Sequence, residues 1–468
     1  MAKTAKKQSN KGEQSMIKVK LIAHTNADPL ELSSHAALKC YQADDPQWGK
    51  TIDVKGRLFD VGHHTTLQHS FFTFSIEGVS VGDVTFGLHL THPFYNSDQR
   101  SGRYCAKMFI DPDYDKINKY VTTFWPSVKG SALKKVMEYV RSGVSIYHSN
   151  ISAAIAIAKK FIKEERPYFC EKYVETNAPK IAQEQMRMFI PVIFPTGLDY
   201  TINLTVLAAM YRTAWTPAMQ YVIGEMVSEV LEKFPELSFM FESRAESQNY
   251  WAMKIPALNR VGIAKKPVHR LLSVNGIGFA LPNPNDLHPV DLLHFHPRFM
   301  DNATCEIKTA IQISVATMGQ DQRHRTLRRS EPNFTGFFYL PPIPDKMELG
   351  AVAKDYMKQW IRTSKGIPQT LAMILAPYGA MVLYDKSGSL NAIAHEQGKR
   401  LCWCAQEEIY HAGRALRFAI KKYEDESNLL EIFEPPCYRI GKCVEGGRYC
   451  GRDMKLRLKG DYFPTRKV

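Results

Sequence analysis

The sequence predicts an α+β chain of two tandem units, each a small antiparallel sheet packed with helices. Three observations carry this. Short runs such as Phe72, Phe74 and Ile76 alternate apolar with small or polar residues, the period of a half-buried strand. Elsewhere apolar residues recur at three- and four-residue spacing, as in Leu133, Val136, Met137, Val140, Val144 and Tyr147, which marks an amphipathic helix. The order of these elements then repeats in the second half, which places helices around a small sheet in each.

The opening MAKTAKKQSNKGEQSM, residues 1–16, is basic and lacks the apolar core of a secretory signal, so it is expected to be a disordered tail. The first unit is assigned to residues 17–250. It begins with a strand over MIKVKLIAH and a helix over LELSSHAALKCY, followed by the alternating strand near 72–76. A helix over 131–147 and an apolar helical region over 181–229, interrupted near 191–197, complete it. The stretch KIPALNRVGIAKKPVH looks like a link, and residues 251–285 are assigned to a connection. In the second unit, residues 286–451, a strand is expected over 305–317 and helices over 349–362 and 391–422. Residues 452–468 complete the chain as a basic tail.

With 468 residues and 44% hydrophobic content the chain can bury a large core. No apolar run is long enough for a membrane span, which excludes an integral helical membrane protein. Nine cysteines, an odd number scattered along the chain, point to a reducing cytoplasm rather than a disulfide framework. The 61 basic residues against 47 acidic give a net charge of +14, which favours anionic partners. A nucleic-acid binder usually gathers such charge into one stripe with stacking aromatics. Here the charge is spread, which makes a nucleic-acid partner the weaker reading.

The one dense basic cluster is GQDQRHRTLRRSEPNF, residues 319–334, directly after the strand expected at 305–317. By itself this is a solvated helix start or a phosphate-facing patch. The duplication sharpens it: LHLTHPFYNSDQRSGRY (88–104) and RHRTLRRSEPNFTGFFY (323–339) have equal length, a histidine second and a tyrosine last. Each half also carries an apolar run ending in proline, RMFIP at 187–191 and MILAP at 373–377, with Arg212 and Arg400 following at similar distance.

These motifs resemble the flavin-dependent thymidylate synthases, in two diverged copies joined head to tail. The first half keeps GHHTTLQHSFFTF (62–74), similar to the family's Gly-His-x5-His-x2-Phe-Thr-Phe block, and SGRY (101–104), while its Arg-His-Arg position reads Leu88-His89-Leu90. The second keeps Arg323-His324-Arg325 and RLCWCAQEEI (400–409), while its Ser-Gly-Arg-Tyr position reads GFFY. The losses are complementary. The resemblance implies a thymidylate-synthase-complementing-type fold in each half and methylation of dUMP to dTMP, with FAD as cofactor and NADPH and methylenetetrahydrofolate as co-substrates.

It also implies roles. His63, Thr65, Gln68 and Asn203 fall at flavin-contacting positions, although Gln68 stands where a glutamate is usual; Arg323, His324 and Arg325 fall there too. Ser101, Gly102, Arg103, Arg187, Arg212 and Gln320 fall at nucleotide-binding positions, and Arg212 and Arg400 are both candidates for the arginine that activates the pyrimidine. The chemistry agrees. Paired arginines give permanently charged forks for a pyrophosphate or an anionic ring, Ser101 and Arg103 with nearby amides suit a compact phosphate, and a buried arginine at a uracil carbonyl would stabilise developing charge. Because the family's tetramers build sites between subunits, a homodimer of this chain would imitate one.

Bland readings stand beside these. The histidines at 63, 64 and 69 also suit ordinary core or surface positions, and Arg212 suits a helix-face ion pair. No metal is assigned, and packed, reduced thiols are the expectation for Cys437, Cys443 and Cys450; with Cys402 they form the alternative of a structural zinc, at spacings wider than the usual knuckle. The competing function is a degenerate relative that binds nucleotide or nucleic acid without turnover.

Overall fold

Alternating burial along Phe72, Phe74 and Ile76 builds one antiparallel sheet, and alternation along Ile307, Ile311 and Ile313 builds a second. The computed structural model describes residues 16–89, 95–103, 105–242, 253–275, 306–423, 433–439, 441–446, 449–450 and 463–468. The tail expected at 1–16 lies outside them except for Met16, as does Tyr104 of the quoted SGRY. The first sheet holds β1 (Lys18–His24), β2 (Phe71–Ser80), β3 (Tyr95–Gln99) and β4 (Pro195–Asn203) in the order β1-β2-β4-β3. The second holds β5 (Gly262–Ala264), β6 (Val268–Asn275), β7 (Glu306–Ser314), β9 (Asn333–Tyr339) and β10 (Ala380–Ser389) in the order β5-β9-β10-β7-β6, with β8 (Arg328–Arg329) also paired to β10. Thus β1-β2-β4 is matched by β6-β7-β10, and the edge β3 is matched by β8. This strand order is consistent with the two repeats expected from sequence.

Helices follow β1, β4, β7 and β10. α1 (Pro29–Lys39) starts where the Asp28 carboxylate accepts the Leu30 and Glu31 amides. α2 (Gly130–Glu165) is twice the length expected, because apolar spacing continues through the buried Ala154, Ala158, Phe161 and Ile162; it stops at Arg166, the residue before Pro167. α3 (Glu171–Met186), α4 (Leu204–Thr213) and α5 (Pro217–Lys233) complete the first half. The second half has α6 (Val315–Asp321), α7 (Gly350–Ser364), α8 (Leu390–Arg400) and α9 (Glu407–Tyr423). Among the described residues no helix is long and apolar enough to cross a membrane.

Four expectations need correction. The apolar region 181–229 is not helical throughout: Leu198, Tyr200 and Ile202 are buried while Asp199 is exposed, so period two prevails and β4 forms. The helix at 391–422 is broken by a turn over 401–406, whose Trp403 and Ala405 carbonyls bond to the Arg466 side chain instead of to a helix. The stretch 251–285 is not a bare connection. β6 lies within it, burying His269 and Val274 and pairing with β7 from Val268–Gln312 to Asn275–Glu306, so the second sheet could not close without it. Nor is 452–468 simply a tail: Phe463, Arg466 and Val468 are buried, and Arg166 donates to the Val468 carbonyl.

The halves meet through equivalent positions. Pro191 and Pro377, the last residues of the two matched runs, face each other as an antiparallel bridge. The Val192 amide donates to the Ala376 carbonyl at 2.9 Å and the Tyr378 amide to the Ile190 carbonyl at 2.8 Å, a reciprocal pair. Alongside, Gly82 donates to Val192 and Ala316 to Tyr378, again at matching positions. One apolar core runs through both halves, with Tyr139 of α2 stacked on Tyr356 of α7 at 4.8 Å.

Candidate active site

The arginine cluster follows α6, and buried polar groups fix its course. Ser314 caps α6, and the Glu408 carboxylate on α9 takes the Ser314 amide and both the Ser314 and Thr317 hydroxyls. At the other end Asp321 is fully buried, accepting Arg329 Nε at 2.6 Å, Lys386 Nζ at 2.9 Å and the Tyr384 hydroxyl at 2.8 Å. Burial alone would raise its pKa, but Arg329 and Lys386 hold it well below the usual carboxylate range. Lys386 in turn meets Glu396 at 2.8 Å.

This anchorage turns Arg323 and Arg325 outward onto the first half. Arg325 donates to Asn96 Oδ1 at 2.9 Å and to the Ser97 carbonyl at 2.5 Å, with its guanidinium carbon 5.1 Å from the Tyr95 ring centroid. Arg323 donates to the Gln99 carbonyl at 3.3 Å. His324 turns inward, where burial, with Arg400 nearby, keeps its pKa well below the ordinary histidine value. At the matching place in the first half, Leu88 is core and His89 stacks on Tyr95 and meets Ser97 Oγ at 2.8 Å. Burial, then Arg325 and Arg323, bring the His89 pKa down to about 3.

Beyond β3 the chain turns through Ser101, Gly102 and Arg103. Arg103 Nε pairs with Glu184 on α3 and Nη2 donates to the Cys404 carbonyl at 3.3 Å. A side chain at 102 would put its Cβ 3.0 Å from Arg187 Nη1, so glycine permits the approach. Arg187 is buried against the Tyr378 ring at 5.1 Å and donates to Gln406 Oε1 at 3.1 Å; burial lowers its pKa. Gln320 donates to the same Gln406 oxygen, and Arg400 donates to the Gln320 carbonyl. Burial brings the Arg400 pKa down to about 10, so it stays charged at neutral pH.

These groups frame one cleft between the halves. Thr85, Ser101, Gly102, Arg103, Arg187 and Tyr378 line it together with Gln320 and Arg323. Around it Arg187 Nε, Arg400 Nε, Arg325 Nε, His324 Nδ1 and Gln406 Nε2 are buried without a hydrogen-bond partner among the described residues. Such a concentration of unmatched nitrogen suits an anionic, oxygen-rich ligand. At the matching position of the second half, Met373 takes the place of Arg187 and is buried in the core. The Gly336, Phe337 and Phe338 that replace Ser-Gly-Arg belong to β9, with Phe338 packed 5.2 Å from Phe189.

The remaining candidates gather elsewhere. His63, Thr65 and Gln68 are exposed on or beside the 3-10 turn His64–His69, which packs on α4. Asn203 caps α4, accepting the Val206 amide at 2.9 Å, and Arg212 at the far end of α4 is exposed, 5.7 Å above the Phe59 ring. None of them lines the cleft. Sequence reasoning missed Glu184, Asp321, Tyr378 and Gln406. Asp321 and Gln406 lie inside quoted motifs and Tyr378 follows the matched proline, whereas nothing local marks Glu184.

Residues 20–238 match a family model described as thymidylate synthase complementing protein. A flavin-dependent thymidylate synthase of Clostridium tetani is 26% identical over 242 residues, covering 48% of this chain and 87% of that protein. A probable flavin-dependent thymidylate synthase of Mycobacterium phage D29 is 23% identical over 218 residues, covering 46% and 81%. Thymidylate synthase X of Helicobacter pylori, in a structure with FAD and dUMP, aligns with 48% of this chain and 97% of its own at 16% identity and a TM-score of 0.29. The family match coincides with the first sheet and its helices, so through residues 20–238 the chain is similar to the thymidylate synthase complementing proteins.

Proposed function

We propose that the chain is a flavin-dependent thymidylate synthase that methylates dUMP to dTMP in one cleft built from two unlike halves. The observation that carries this is the meeting of Ser101, Gly102, Arg103 and Arg187 from the first half with Gln320, Arg323 and Arg400 from the second. Within this reading the second half is a diverged copy of the same family, fused to the first.

In that cleft Ser101 and the Gly102 turn receive the nucleotide phosphate, with Arg187 behind them. Glu184 and the Cys404 carbonyl hold Arg103 at Nε and Nη2, which fixes its guanidinium at the wall of the cleft beside that phosphate. Arg400 is the activating arginine: it is charged, half-buried and tied to the Gln320 that lines the cleft, so its field acts on a uracil carbonyl with little water to screen it. Arg212 lies apart in this chain, which supports Arg400 over it.

The orphaned nitrogens of His324 and Arg325 and the exposed Arg323 form a donor set suited to FAD. When bound, the flavin, reduced by NADPH, supplies the hydride that completes the methyl group taken from methylenetetrahydrofolate. His63, Thr65, Gln68, Asn203 and Arg212 are presented to a second copy of the chain, so a homodimer completes the flavin sites.

Absorbance tests this first. Purified protein should show flavin bands and convert dUMP to dTMP with NADPH and methylenetetrahydrofolate. The joint Arg323→Ala, Arg325→Ala variant should lose the bands, since each charge-assisted bond is worth roughly 1.5–3 kcal/mol. A wild type that refuses flavin but binds dUMP would establish the degenerate binder instead.

A further inference from the structure

Behind the turn that joins Arg400 to Gln406 lies a small cavity walled largely by sulfur. Cys402 and Cys404 reach it from the turn, and Cys437, Cys443 and Cys450 reach it from the C-terminal segment. Five of the chain's nine cysteines therefore meet at one place from two separate stretches, and none of the five is in a disulfide.

Buried thiols are ordinarily small apolar packing groups. Three observations favour something more here. The only regular element among the described residues of 437–450 is the short helix Pro436–Arg439, and the apolar cluster at this place is a satellite of Leu401, Trp403, Tyr410 and Phe463. So small a core rarely holds a segment without a metal or a covalent staple. The turn also has exacting work: its Cys404 carbonyl takes Arg103, and Gln406 at its end takes Arg187. Lastly, the Cys404 amide donates to the Cys402 sulfur at 3.4 Å, which fixes that sulfur at the cavity wall.

We propose that Cys402, Cys437, Cys443 and Cys450 hold one structural zinc ion, fastening the C-terminal segment to the turn that grips Arg103 and Arg187. Binding releases the four thiol protons and leaves two net negative charges beside the arginines. Four sulfurs complete the tetrahedral set, and Cys402 is taken over Cys404 because it is the sulfur that an amide holds in place. Among the described residues no group of three His, Cys, Asp or Glu side chains is already arranged to hold a metal ion, so binding has to draw the four sulfurs together.

The test is the metal content of the full-length chain purified without chelator, which does not depend on the proposed activity. Plasma mass spectrometry should find about one zinc per chain, kept in Cys404→Ser and reduced about tenfold or more in Cys443→Ser. Should Cys443→Ser fail to fold, mercurial titration of the wild type should release the zinc to an indicator dye only after the exposed Cys40, Cys105 and Cys170 have reacted. The proposal is overturned if the wild type, expressed and dialysed with excess zinc, holds less than about a tenth of an equivalent. It is equally overturned by a disulfide among the four in the native chain, or by zinc lost from Cys404→Ser and kept by Cys443→Ser.

Discussion

Two arginines separate cleanly by environment. Arg400 is tied to Gln320 in the cleft, whereas Arg212 is exposed over Phe59. Arg400→Ala is expected to keep its flavin bands and lose roughly 10²- to 10³-fold in kcat/KM for dUMP. Arg212→Ala should lose less than a tenth of that factor, and steady-state assays of both variants decide between them. Acid stability gives a second prediction. His89 and His269 each have a pKa brought down to about 3 by burial, assisted by Arg325 and Arg323 at His89 and by Lys386 at His269. Both are neutral when folded and take a proton when unfolded below about 6.5, so their contribution is present above that pH and fades as pH falls towards 3. Each should steepen the loss of stability by about 1.4 kcal/mol per pH unit in that window. Urea titrations from pH 7 to pH 4 should therefore show a shallower decline in His89→Gln.

At the scale of elements, the course of the arginine cluster depends on one buried carboxylate. Asp321→Asn would leave Arg329, Lys386 and Glu396 with an uncompensated positive charge, and breaking such a pair costs roughly 3–5 kcal/mol. The expected result is a lower unfolding midpoint together with loss of flavin, measured on the same sample by thermal melt and absorbance. This dependence also shows what was legible in the sequence. The period-two runs gave β2 and β7 correctly, and the matched prolines at 191 and 377 marked the place where the halves touch. β4 and β6 were hidden, the first by a wholly apolar neighbourhood and the second by a Lys- and Pro-rich approach that reads as linker. The cleft was half legible: the Arg-His-Arg and Ser-Gly-Arg motifs are local strings, whereas Glu184 matters only because α3 passes Arg103, 81 positions away. Distant partners of that kind leave no spacing to read.

At the scale of the molecule, the cleft uses first-half and second-half motifs once each, while the exposed group around His63, Asn203 and Arg212 faces away from it. If a second chain supplies that group to the flavin, His63→Ala and Arg325→Ala should each be nearly inactive alone. Mixed and reassociated at random, they should recover about a quarter of wild-type activity, since one site of each mixed dimer then carries neither lesion. Light scattering should give a dimer; a fully active monomer would sink the shared-site arrangement.

The reciprocal bonds at Pro191 and Pro377 have the pattern of a two-fold contact between identical subunits, yet they join parts of one chain. In a homo-oligomer every substitution is made twice, once on each side of the axis, so a residue must suit both places at once. Joined in one polypeptide, the two sides are free to change separately. Position 187 is an arginine that lines the cleft, whereas its matching position is Met373, which fills the core. Ser101 to Arg103 stay a turn, and their counterparts have become part of a strand. On the proposed reading of two fused copies, linkage would release each half from having to be both an anion site and a packing surface, so that one cleft is refined while the other holds the pair together.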